Sequence, residues 1–194
     1  MKDKILMIVF VLVLGSILTT ALVAVNYVTT PVIEKNEEIA TKSSILEALS
    51  ISFAPGEVEE VFSANVERRE QDGQGYYVAE NGEIAFPYSG PGLWGPIEGI
   101  VAIRPNFETL AGVTISRQEE TPGLGSRITE TEYLEQFEGK RFADGLELVQ
   151  PGRSSADNEI DSITGATMTA NAFVKLLNEN IMETVPVIAE GEGQ

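Results

Sequence analysis

Between Lys4 and Glu34 the chain carries no charged residue, and that stretch limits the architectures open to it. Its most apolar part, Ile5 to Tyr27, is longer than the roughly 20 residues a helix needs to cross a hydrocarbon core. Lys2, Lys4 and the amino terminus precede it, and Tyr27 falls where an aromatic ring favours the far interface. The basic flank predicts a cytoplasmic N-terminus and places everything after Asn26 outside. A cleaved signal peptide is the competing reading. Thr19-Thr20-Ala21 is only a passable cleavage site, and the apolar run continues past it through Val25, which favours an uncleaved single-pass anchor. The expected division is 1–30 transmembrane anchor, 31–56 connecting helix, 57–189 extracytoplasmic domain and 190–194 flexible tail.

The remaining composition narrows the chemistry. The chain has no Cys and no His. Disulfides, thiolate nucleophiles, Cys/His zinc sites, thiolate-held iron–sulfur clusters and a Ser-His-Asp triad are therefore excluded. Any redox chemistry has to come from a bound organic cofactor. Thirty acidic against thirteen basic residues give a net charge of −17, a field that repels phosphate backbones and argues against nucleic acid as a partner.

Beyond the apolar run, Ile39, Ile45, Leu46 and Leu49 predict a helix that Pro55-Gly56 ends. Val58–Val66 and Gly75–Ala79 read as strands, and Asn81-Gly82 before Ile84-Ala85-Phe86 is a strong hairpin signal. Gly90 to Pro96 is too rich in Gly and Pro for regular structure and reads as a loop carrying Trp94. Two further strands, Gly99–Ile103 and Leu110–Ser116, flank a turn at Asn106. A short helix over Glu130–Phe137, a strand over Leu146–Val149 and a helix over Met168–Glu183 complete the chain. Hairpin strands interrupted by few helices predict an α+β fold with a mostly antiparallel sheet and flanking helices.

Asp161 to Thr167 (Asp-Ser-Ile-Thr-Gly-Ala-Thr) is small, polar and glycine-containing, so it reads as a loop. Met168, Ala172, Val174, Leu176, Leu177 and Ile181 then recur at roughly helical spacing. A hydroxyl-rich loop feeding a helix start is a natural seat for a phosphate, because the first N–H groups and the positive dipole end are free there. The competing reading is ordinary N-capping by a Ser or Thr oxygen. Gly165 and Ala166 leave the backbone bare enough for a phosphate to approach.

Asp161-Ser162-Ile163-Thr164-Gly165-Ala166-Thr167 resembles the flavinylation motif of the FMN-binding domain family. That family includes the RnfG protein of the Rnf complex and the NqrC protein of the sodium-pumping NADH:quinone reductase (Nqr). Glu119-Glu120-Thr121-Pro122-Gly123-Leu124-Gly125 is similar to its E-T-P-G-L-G segment, and Gly92-Leu93-Trp94-Gly95 to its G-L-W…G segment. The three stand in the family's order between about Gly75 and Ile181.

The resemblance implies a mostly antiparallel FMN-binding domain in which Thr167 carries FMN through a phosphoester bond. A separate flavin transferase, using FAD and Mg²⁺, would place it there, so Thr167 would be a modified residue and not a catalyst. The resemblance further implies that Thr164, Gly165 and Ala166, with Glu120, Thr121, Gly123, Leu124, Gly125, Leu93 and Trp94, surround the flavin. Asp161 would assist the transfer or cap the loop, Arg127 would balance the phosphate or form a surface ion pair, and Thr169 reads as a cap or first-turn residue.

By resemblance the chain is an electron-transfer component of a membrane ion-translocating complex and not a complete enzyme alone. Its compact length after the anchor inclines the reading toward RnfG, part of a ferredoxin:NAD⁺ oxidoreductase, whereas Gly92-Leu93-Trp94-Gly95 looks closer to Nqr. A stand-alone extracytoplasmic flavoprotein and a flavin-free anchored scaffold are the alternatives.

Overall fold

The structure is a computed structural model that describes residues 2–193. The chain divides into two units, residues 1–40 and 41–194. Helix α1 (Lys2–Ala48) makes up the first unit and contributes its last turns to the second. Its apolar segment is long enough to cross a membrane, with a mean hydropathy of 2.7. The hydroxyls of Ser16, Thr20, Thr29 and Thr30 each donate to a carbonyl four residues back, so these four are satisfied within the helix. Pro31 stands inside α1, and the helix continues through it.

The α1 helix ends at Ala48, ahead of the expected stop at Pro55-Gly56. Ser50 takes a left-handed φ of 54°, its N–H donates to the Glu47 carbonyl, and the Ile51 N–H reaches back to Leu46. That is a Schellman ending built on serine, so no glycine announced it. The following helix α2 (Val58–Asn65) replaces the expected strand over Val58–Val66. Val58, Val61 and Phe62 are spaced for one helical face, and Phe62 meets Tyr77 edge-on at 5.9 Å.

Strands β1 (Val66–Gln71), β2 (Gln74–Ala79), β3 (Ile84–Pro91), β4 (Pro96–Ile103) and β5 (Leu110–Gln118) form one antiparallel sheet in sequence order. The fold is α+β as expected. Asn81-Gly82 makes the β2–β3 turn, with Gly82 at φ 82°. Asp72-Gly73, a turn signal of equal strength that went unread, makes the β1–β2 turn with φ of 49° and 83°. The stretch Gly90–Pro96 is not wholly loop: β3 and β4 stay paired out to Pro91 opposite Pro96, leaving only Gly92–Gly95 as the connection. Short helix α3 (Thr131–Leu134) with the 3₁₀ turn Glu135–Phe137, and the parallel pair β6 (Glu147–Val149) and β7 (Glu159–Asp161), follow.

Helix α4 (Thr167–Glu192) runs past the expected end at Glu183, through Pro186 and into the expected flexible tail. Its buried stripe is Ala170, Phe173, Val174, Leu177, Ile181, Val185 and Ile188, whereas Met168, read from spacing as part of that face, is exposed. The stripe packs with Tyr76, Ile84, Phe86, Tyr88 and Val101 on one side of the sheet. Ile45 and Ala48 of α1 pack with Ala85, Ile100, Ala102 and Ala111 in a second cluster.

The last turn of α4 is clamped to the first hairpin. Glu192 accepts two bonds from Arg69 Nη1 at 2.8 Å and one from the Tyr76 hydroxyl at 2.8 Å. Burial pushes the Glu192 carboxyl up, but the Arg69 and Tyr76 bonds outweigh it and hold it below the usual glutamate value. A lowered folded value means the contribution is complete above the unfolded value of about 4.3 and is lost as pH falls through the folded one. Glu192→Gln should therefore cost about 1–2 kcal/mol at neutral pH. In thermal melts of the full chain across pH, its deficit against wild type should close below about pH 4.

Candidate functional site

Glu120 follows β5 and is 4% exposed, yet no cation pairs with it among the described residues. Its carboxylate is satisfied by three donors from two distant segments. Oε1 accepts the N–H of Leu93 at 2.7 Å and of Trp94 at 3.0 Å, and Oε2 accepts the Thr169 hydroxyl at 2.9 Å. The β3–β4 turn, the end of β5 and the first turn of α4 are thereby fastened at one point.

Two glycines make room for it. A Cβ on Gly92 would lie 2.5 Å from Glu120 Oε1 and 2.8 Å from the Gly95 carbonyl. One on Gly125 would lie 2.8 Å from both Glu120 Oε2 and Thr169 Oγ1. Gly92 and Gly125 are thus required by closeness to one carboxylate, Gly95 is crowded by the Glu119 side chain at 2.5 Å, and Gly123, at φ 73°, serves a positive-φ turn. The Gly123 N–H is spent on the Ser126 hydroxyl.

In front of this junction lies a cleft of about 300 Å³. Its walls come from Leu93, Trp94, Thr121, Leu124 and Gly125 on one side and Gly165, Ala166, Thr167, Met168 and Thr169 on the other. Trp94, Leu124 and Met168 are 74%, 53% and 70% exposed, an unusual density of uncovered apolar surface for an acidic domain. A lone tryptophan is more often core; this one is not. Gly165 adopts φ 84°, and the space beside it is open to Leu124 at 4.0 Å.

No side chain caps α4. The capping position is Ala166, which has no acceptor, so the N-cap reading of the motif's hydroxyls fails. The Thr167 hydroxyl is on an exposed residue and makes only a long 3.4 Å bond to the Ile163 carbonyl. The first turn of α4 also holds no acidic residue, whereas α1, α2 and α3 all begin with one or more. An uncapped, acid-free helix start beside a bare glycine and an exposed hydroxyl suits a phosphate group.

Several expected site residues stand apart from the cleft. Asp161 does not line it. Its carboxylate accepts the N–H groups of Arg153 and Ser154 at 2.8 and 2.9 Å and the Ser154 hydroxyl at 3.0 Å, so it caps the 152–155 loop and not the 162–167 loop. Burial pushes its carboxyl up, but the bonds from Ser154 and Arg153 together hold it below the usual aspartate value. Thr164 faces the other side of the loop, where its carbonyl accepts Arg127 Nη1 at 3.2 Å. Arg127 spends Nε and Nη2 on Glu130, the ion-pair reading. Thr169, by contrast, lines the cleft and is the first-turn residue expected, not a cap: its buried hydroxyl is the third donor to Glu120. The Glu120 junction and the exposed Met168 were not foreseen, since burial and pairing across 49 positions leave no local signal.

Apolar walls beside an uncapped helix start are compatible with a flat, phosphorylated ligand. Residues 92–181 match the family described as FMN-binding domain. That match takes in a little under half of the chain.

Among curated relatives, the NqrC component of the Na(+)-translocating NADH-quinone reductase from Chlamydia pneumoniae is 39% identical over 47% of this chain and 35% of its own length. Its counterpart from Pasteurella multocida is 36% identical over 46% of this chain and 36% of its own length. The chain therefore spans little more than a third of these relatives.

Among solved structures, NqrC of Shewanella oneidensis superposes with a TM-score of 0.68 at 20% identity, covering 77% of this chain and 93% of that one. The same component of the Na(+)-translocating reductase from Parabacteroides distasonis superposes at 0.66 with 25% identity, covering 75% and 89%.

The Glu120 junction makes a graded expectation. Glu120→Gln keeps an oxygen for the two N–H groups and turns an NH₂ toward the Thr169 hydroxyl, which can accept. Glu120→Leu orphans three donors and should cost roughly 2–4 kcal/mol more than the glutamine variant. Gly125→Ala, which strikes the same atoms, should resemble the leucine variant in denaturant unfolding.

Proposed function

We propose that this chain is an electron carrier of the NqrC type, holding FMN by a phosphoester to the Thr167 hydroxyl. The observation that carries the reading is the convergence of three separated segments on one cleft, with the exposed Thr167 hydroxyl at an uncapped helix start. The residues present fit the group. The N–H groups of the first turn of α4 and its positive dipole end would hold the phosphate. Gly165 would let the phosphate approach the backbone. Leu93, Trp94, Leu124 and Met168 would flank the isoalloxazine ring. FMN would supply the electron chemistry that a chain without Cys or His lacks.

Attachment calls for a second protein. Glu120, the buried carboxylate behind the cleft, already accepts three bonds, so it is poorly placed to take a proton from Thr167. A flavin transferase using FAD and Mg²⁺ would supply the base: the threonine oxygen bonds to the FMN phosphorus, the diphosphate bond breaks and AMP leaves.

The reading inclined by length toward RnfG gives way to Nqr. The named relatives are NqrC proteins of the Na(+)-translocating reductase, and Gly92-Leu93-Trp94-Gly95 already looked closer to that version. Partners are then the other subunits of an Nqr-type membrane complex. The α1 helix would anchor the chain with its N-terminus in the cytoplasm and residues 57–189 outside, where a tether keeps the flavin from diffusing away. The flavin-free scaffold loses its footing, because it required the motif's hydroxyls to act as caps.

The full chain co-expressed with a flavin transferase should give a band fluorescent under ultraviolet light after denaturing electrophoresis. Intact-mass measurement should find one FMN adduct, and peptide mapping should place it on Thr167. Thr167→Val should be dark. A dark wild type, or an adduct elsewhere, sinks the reading. Co-purification from native membranes separates a member of a complex from a stand-alone flavoprotein.

A further inference from the structure

The charge on Glu120 is more than its bonds require. A glutamine at that position could accept the N–H groups of Leu93 and Trp94 and still meet the Thr169 hydroxyl, so the fold needs an oxygen there and not an anion. Burying an anion is the costlier choice, because hydrogen bonds replace the water around its oxygens but leave its charge in place. Glu120 is 4% exposed, and no cation pairs with it among the described residues. Chains break the rule against lone buried charges chiefly at functional sites.

That charge stands directly behind the cleft. The residues it bonds, Leu93, Trp94 and Thr169, all line the cleft, and so does Gly125, whose Cβ position is 2.8 Å from Glu120 Oε2. None of the lining residues is itself charged. The charges on the flanking segments lie in partly exposed pairs, Arg117 with Glu119 at 2.8 Å and Arg127 with Glu130 at 3.1 Å, where water and salt screen them. The buried Glu120 charge is screened far less. A phosphate at the start of α4 has the positive end of that helix to answer it. A ring flanked by Leu93, Trp94, Leu124 and Met168 has no cation in those walls to set against Glu120.

We propose that Glu120 is a tuning residue, whose buried charge makes a flavin in this cleft harder to reduce. The inference rests on the FMN reading. An electron taken up by the ring comes from a reduced donor, which is oxidised by one electron, and it adds one negative charge to the ring. Glu120 opposes that charge whatever proton from solvent follows, and no bond to Glu120 forms or breaks. At an effective dielectric constant of about 20, a unit charge one residue's thickness away shifts such an equilibrium roughly ten- to thirtyfold.

The test is a redox titration of the full chain in detergent, with FMN loaded by a flavin transferase. Dithionite supplies the electrons, a reference dye reports the potential and flavin absorbance reports the reduced fraction. Glu120→Gln keeps the bonds and removes the charge. It should move the equilibrium roughly ten- to thirtyfold toward the reduced form, a rise of about 60–90 mV for a one-electron couple. Thr169→Val removes one bond and keeps the charge, so its midpoint should not rise above that of wild type. The wild-type midpoint should itself lie below that of free FMN.

The inference is overturned if Glu120→Gln titrates at or below the wild-type midpoint. It is equally overturned if Thr169→Val rises as far as Glu120→Gln, the mark of a loosened junction and not of a lost charge. Should Glu120→Gln fail to fold or to load, wild type decides: a midpoint below that of free FMN bears the inference out, and one at or above it does not. An adduct on Thr167 with unchanged potentials sinks this inference alone. A chain that takes no adduct sinks the FMN reading first, and the inference with it.

Discussion

The Glu120 carboxylate carries the organisation of the site. Removing a carboxylate from water is tolerable only where bonds replace its hydration, and here the replacements are two backbone N–H groups and a threonine hydroxyl. Each donor belongs to a segment with little reason of its own to be where it is. The Gly92–Gly95 turn is four residues of a hairpin end, and Thr169 lies in a helix start that no side chain caps. Bonds to a charged acceptor are shorter and stronger than neutral ones, so one buried charge orders both segments against the end of β5.

That arrangement reassigns the glycines. Gly92 and Gly125 lie far apart in sequence, yet a methyl group on either would run into the same carboxylate, at Oε1 from Gly92 and at Oε2 from Gly125. Gly165 answers to a different constraint, a left-handed backbone with open space beside it. The three motif segments are therefore one object assembled around one side chain, and a change in any of them reaches the others through Glu120.

Legibility in the sequence followed the range of the forces involved. Asn81-Gly82, the strands β2 to β5 and the start of α4 rest on local turn chemistry and period, and these were readable. Val58–Asn65 was misread because Val58, Val61 and Phe62 satisfy a helical spacing that eight residues barely distinguish from alternation. The end of α1 was misread because Ser50 occupies the left-handed position that glycine usually signals. In the site, the resemblance brought Leu93, Trp94, Thr121, Leu124, Gly125 and Gly165 to Thr167 into one group, and the cleft contains them all. Asp161 and Thr164 share the motif but face elsewhere: Asp161 caps the 152–155 loop, and the chain changes sides at left-handed Gly165, with Thr164 before it and Thr167 after it. Spacing in sequence does not record which side each takes.

A net charge of −17 raises a difficulty for any phosphate seat, since the global field opposes it. The resolution is one of distance. At physiological ionic strength exposed charges are screened beyond about 8 Å, so the potential at the mouth of the cleft is set by what stands within a few residues of Thr167. There α4 departs from the other α-helices: α1, α2 and α3 each carry Asp or Glu in the first turn, the usual complement to a helix dipole, and α4 opens with Thr167, Met168 and Thr169. The nearest carboxylate behind the cleft, Glu120, is already engaged by three donors. An acidic chain that withholds acid from one helix start leaves that dipole end for the proposed phosphate to complete. Under the FMN proposal, the acid-free start of α4 is the place on this acidic surface that would take the phosphate.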